Sequence, residues 1–101
     1  MEIVKTSEDT KLTLALNGRL DTTTAPRLEE EVKGSLEGVT ELVLDFSKLE
    51  YLSSAGLRVL LTAQKIMNKQ GKMVICHVNA TIMEIFEITG FGQILTVQQE
   101  V

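Results

Sequence analysis

An α/β fold on a mixed sheet follows from three features of the sequence. Short aliphatic runs alternate with segments of helical periodicity. The first two runs are close enough to form a hairpin. Each later run is separated from the one before it by a helix-length segment. Strands joined through helices pair mostly in parallel, with right-handed crossovers. The expected order is β-β-α-β-α-β-α-β, in one domain over residues 1–101.

Residues 3–5 form a short edge strand, and residues 7–10 a polar turn. In residues 11–17 the apolar side chains fall at Leu12, Leu14 and Leu16, the alternation of a half-buried strand that Gly18 ends. Asp21, Thr22, Thr23 and Thr24 offer helix caps, and Pro26 suits a first helical turn, where its missing N–H costs little. Leu28, Val32 and Leu36 recur every fourth residue, which predicts an amphipathic helix ending near Gly38. Residues 41–46 are mostly apolar and read as a central strand, with residues 47–52 as a connection.

Leu57, Val59, Leu60, Leu61, Ala63, Ile66 and Met67 give the next helix a broad apolar face, closed by Gly71. Residues 73–78 predict a buried strand. Asn79 or Thr81 caps a third helix, in which Ile82, Ile85 and Phe86 share a face, and Gly90 and Gly92 close it. Residues 94–97 predict a last short strand, followed by a polar tail from Gln98.

Composition narrows the function. Hydrophobic residues make up 44% and charged residues 24%, ordinary for a folded domain. A chain of this length hides about 65% of its unfolded surface and needs no metal or disulfide staple. The net charge is −4 and the ten Lys and Arg are scattered, which argues against nucleic acid. The single Cys, Cys76, lies in an apolar run and reads as a core thiol; with one His in the chain, His77, the sequence holds no zinc-ligand pattern. No segment reads as a signal peptide or membrane span, so a cytoplasmic protein is expected.

The stretch that carries chemistry is Ser53-Ser54-Ala55-Gly56-Leu57, two hydroxyls at the entrance to a helix. Unpaired backbone N–H groups and the positive end of the helix dipole favour a phosphate there. Phosphorylation adds about −1.5 to −2 charges, enough to spoil a docking surface. Serine is equally a preferred N-cap, and capping alone accounts for the residue type. A hydrolytic triad of Ser54, His77 and an Asp lacks the Gly-x-Ser-x-Gly elbow. No phosphate loop or dinucleotide fingerprint is present, so neither an enzyme nor a cofactor is expected.

The run from Asp45 to Leu61, with Ser53-Ser54-Ala55-Gly56 at its centre, resembles the signature of bacterial STAS domains, the anti-sigma factor antagonists. Gly18-Arg19-Leu20-Asp21, followed by residues 22–27, is similar to the family's second recurring segment. The resemblance covers nearly the whole chain. It implies a single STAS-type domain with a four- to five-stranded mixed sheet and three to four helices.

It also implies a partner switch. The unphosphorylated antagonist binds an anti-sigma factor, commonly a serine kinase, and so frees a sigma factor. Phosphorylation at the start of the second long helix separates the two, and a PP2C-type phosphatase reverses it. Many members place the acceptor immediately before the glycine; here that position is Ala55, which leaves Ser54, then Ser53, as acceptors. The implied partner-contact set is Asp21, Thr22, Ser53, Ser54, Ala55, Gly56 and Arg58. Asp45 is expected to orient the serine turn. The expected protein is a monomer without cofactor; the alternative is a STAS scaffold or sensor module that binds its partner without phosphorylation.

Overall fold

In the computed structural model, which describes residues 1–98, two strands lead, β1 (Glu2–Glu8) and β2 (Lys11–Leu20). Helix α1 (Ala25–Ser35), strand β3 (Glu41–Leu52) and helix α2 (Ser54–Asn68) follow, then strand β4 (Lys72–Cys76) and helix α3 (Ala80–Thr89). The sheet has four strands in the order β1-β2-β3-β4. β1 and β2 form the expected antiparallel hairpin, turned through Asp9 at φ 54°. β2–β3 and β3–β4 pair in parallel, as the helical connections require.

Alternation explains the layers. Leu12, Leu14, Leu16, Leu42, Leu44, Phe46, Met73 and Ile75 belong to one buried cluster with residues of all three helices. Leu28 and Val32 come from α1, Leu57, Leu60 and Met67 from α2, and Ile82 and Phe86 from α3. The intervening side chains, Thr13, Ala15, Val43, Asp45, Val74 and Cys76, therefore point to the other face.

The structure corrects the expected boundaries. β3 does not stop at Phe46; it continues to Leu52. Its register against β2 shifts twice, between Ala15 and Asn17 and between Gly18 and Arg19, with the extra residues on β3. Each bulge inserts one residue between inward-facing positions. Burial accordingly falls on Phe46, Leu49 and Leu52, every third residue, and the expected alternation disappears. β2 also passes through Gly18, whose φ of 112° lies at the irregularity, and reaches Leu20.

β4 ends at Cys76 because His77 takes a left-handed φ of 58° and cannot extend the ladder. The expected last strand reduces to one parallel bridge, Ile75 with Val97, after a 3-10 turn at Phe91–Gln93. Helix α1 stops at Ser35, short of Gly38. Gly71 is not a left-handed cap: a Cβ there would strike the Thr40 backbone, so Gly71 serves a close approach at the start of the β3–β4 pairing. Beyond Gln98, the expected polar tail lies outside the described residues.

Candidate functional site

β2 and β3 run side by side and end level, Leu20 opposite Leu52. Each then leads into a helix, β2 through residues 21–24 and β3 through Ser53. This places the loop of residues 21–24, the serine turn and the first turns of α1 and α2 at one end of the sheet. The Ser53 N–H donates to the Leu20 carbonyl at 2.9 Å, tying the two turns together.

Ser53 is the N-cap of α2. Its backbone is extended, its Oγ accepts the Gly56 N–H at 3.4 Å, and its carbonyl accepts the Leu57 N–H at 3.0 Å. Ser54 is the first helical residue and is exposed. Among the described residues, its hydroxyl and the N–H groups of Ser54 and Ala55 have no protein partner. Two donors and the dipole's positive end thus surround a free hydroxyl. No acidic residue lies in the first turn of α2.

Gly56 is buried and faces inward. A Cβ there would lie 2.7 Å from Leu20 Cγ and 2.7 Å from Leu52 Cδ1. The missing side chain therefore seats α2 against the ends of β2 and β3, which fixes where the serine turn sits. Ala55 is half-buried, and Arg58 is exposed one turn after Ser54, on the same side of the helix. Arg58, Ala55 and Val59 face Thr22, Ala25, Pro26 and Glu29 across an open groove of about 240 Å³ between the two helix starts.

Asp21 is not the N-cap of α1; Thr24 is, without a side-chain capping bond. Asp21 instead builds the turn. Its Oδ1 accepts the Thr23 hydroxyl at 2.8 Å and the N–H groups of Thr23 and Thr24 at 3.0 and 3.2 Å. Its carbonyl accepts the Ala25 N–H at 2.8 Å. The Thr23 hydroxyl, ahead of the backbone donors, holds its carboxyl below the usual carboxylate value despite partial desolvation. Thr22 is exposed beside it. Arg19 stacks 4.4 Å from the Tyr51 ring centroid and reaches to 3.8 Å from Asp21 Oδ2.

The serine turn, Asp21, Thr22, Ala55 and Arg58 are thus brought to one end, with Gly56 beneath them. Asp45 is not among them. Its Oδ1 accepts the Ser47 N–H at 2.9 Å inside β3, and the sheet pairs it with Ala15 and Cys76, well before the turn. Folding instead gathers Asp45, Cys76 and His77, with one ligand atom from each within 4.8 Å of the others. No motif in the linear sequence announced that group. Burial, and then the Asp45 charge, push the Cys76 thiol up.

The STAS domain profile matches residues 2–101. The chain belongs to the STAS domain family. This STAS domain is 37% identical over 99 residues to BtrV of Bordetella bronchiseptica, provisionally named an anti-sigma factor antagonist, covering 96% of this chain and 85% of that one. Among solved structures, an anti-sigma factor antagonist from Mycobacterium paratuberculosis superposes at a TM-score of 0.87 with 21% identity, covering 99% of this chain and 86% of that one. The phosphorylated Bacillus cell fate determinant SpoIIAA superposes at 0.76 with 16% identity, covering 98% and 93%. These similarities establish a single STAS fold with a four-stranded mixed sheet and three helices. Among the described residues no helix is long and apolar enough to cross a membrane.

Proposed function

We propose that this STAS domain is an anti-sigma factor antagonist switched at Ser54. Unphosphorylated, it docks through the end of the sheet onto an anti-sigma factor of the serine kinase type, and a sigma factor is released. A phosphate on Ser54 ends the complex, and a PP2C-type phosphatase restores it. The domain acts as a monomer and contributes a surface, with the chemistry supplied by its partners. The name of BtrV supports the partner class.

The observation that carries the site is the state of the two serines. Ser53 Oγ is engaged as a cap, whereas the exposed Ser54 Oγ is free among the described residues. A phosphoryl group on Ser54 lies beside the open N–H groups of α2 and one turn from Arg58. It alters the charge at the rim of the groove lined by Arg58, Thr22 and Glu29. Incubation with the kinase and ATP, followed by mass spectrometry, tests this. The expected result is one added phosphate on Ser54, absent from Ser54→Ala. Phosphate on Ser53 alone would keep the turn and change the acceptor.

One feature favours a second reading. Ala55 occupies the position where many members carry the acceptor, and a methyl group cannot be phosphorylated. In that reading the same surface binds a signalling partner constitutively, as a scaffold or sensor module. No mass gain with an active kinase, together with intact partner binding, would select it.

A further inference from the structure

We propose that Asp45, Cys76 and His77 form a binding site for a zinc-class divalent transition-metal ion on the sheet face opposite the helices. The three residues come from two strands and a turn, and two structural facts bring them together. Parallel pairing sets Asp45 directly across from Cys76, so their side chains share a face. In a continuing strand His77 would point the other way. Its left-handed φ of 58° breaks the alternation and returns the imidazole to the side of Cys76.

The donors suit the ion. A thiolate, an imidazole and a carboxylate are the ligand types of zinc, and three protein ligands leave a fourth position for water or a partner's group. Zinc–ligand bonds of about 2.0 to 2.3 Å put neighbouring donors about 3.5 Å apart in a tetrahedron. The three stand within 4.8 Å of one another already, and His77 is exposed. Asp45 is pre-oriented: its Oδ1 holds the Ser47 N–H at 2.9 Å, leaving Oδ2 without a protein partner among the described residues. The His77 ring likewise makes no hydrogen bond among them.

The site is separate from the serine turn. Along β2, the rung of Ala15 with Asp45 is five residues from the rung of Leu20 with Leu52, about 16 Å at strand rise.

The test is a Co²⁺ titration of untagged protein under a non-thiol reductant, followed by absorbance. The expected result is saturation at one ion per chain, with a thiolate-to-cobalt charge-transfer band and tetrahedral d–d bands that Zn²⁺ displaces. His77→Ala and Asp45→Asn each weaken binding at least tenfold while keeping the wild-type circular dichroism spectrum. Cys76→Ser loses the charge-transfer band. The exposed His77 variant keeps the test decisive if Cys76→Ser unfolds. No charge-transfer band at saturating Co²⁺, or undiminished binding in folded His77→Ala, would overturn the site.

Discussion

Asp21 shows how one side chain organises a turn. Its carboxylate gathers the Thr23 hydroxyl and two backbone N–H groups, and these donors stabilise the charged form. The folded pKa therefore lies below the reference of 3.8. A lowered carboxyl pKa adds stability above the reference value, and that contribution fades as pH falls through the folded value. An NMR titration of the Asp21 carboxyl carbon should give a midpoint below 3.8, and a midpoint at or above it contradicts the turn geometry. Gly56 makes a different demand. Its Cβ position is filled by Leu20 and Leu52, both nearly without solvent exposure. Gly56→Ala forces those side chains aside and should cost about 1–3 kcal/mol in urea unfolding, after allowing for the better helix propensity of Ala. A neutral or stabilising result would show that α2 is not seated as described.

Elements here are positioned by their ends. Asn79 caps α3 by accepting the Ile82 N–H at 2.8 Å, and it donates to the Leu49 carbonyl at 3.1 Å. One residue thus starts a helix and anchors it to the bulged end of β3. Asn79→Ala removes both bonds and should destabilise by about 1–2 kcal/mol, seen as a lower urea midpoint with unchanged slope. An unchanged midpoint would deny the anchor. Elements with clean periodicity were legible in the sequence. Leu12, Leu14 and Leu16 gave β2 its alternation, and Leu28 and Val32 gave α1 its buried stripe. The second half of β3 was not legible, because its two bulges change the burial period from two to three. The end of β4 was missed for a related reason: the left-handed turn at His77 has no signature in an apolar run ending in Val78. The last strand failed because a single bridge to Val97 needs little periodicity to form or to betray it.

At the scale of the molecule, function depends on which residues the topology brings to the same place. Two parallel strands that end level deliver two helix starts to one end of the sheet, so Asp21, Thr22, Ser54 and Arg58 come together although the sequence spreads them over two segments. The serine turn was legible because helix entry, hydroxyls and glycine lie in one short stretch. The misplacement of Asp45 and the gathering of Asp45, Cys76 and His77 were not, since strand register decides both. Gly56 was legible as part of the serine turn, but its packing against Leu20 and Leu52 was not, because only the fold brings those side chains to it.

The proposed switch requires that charge at Ser54 control docking without disturbing the fold. Calorimetric titration of the anti-sigma factor with wild type and with Ser54→Asp measures it directly, after circular dichroism confirms that both are folded. At least a tenfold loss of affinity is expected for Ser54→Asp, which at about 1.4 kcal/mol per tenfold is a modest share of a typical interface. Equal affinity of the two proteins would contradict it.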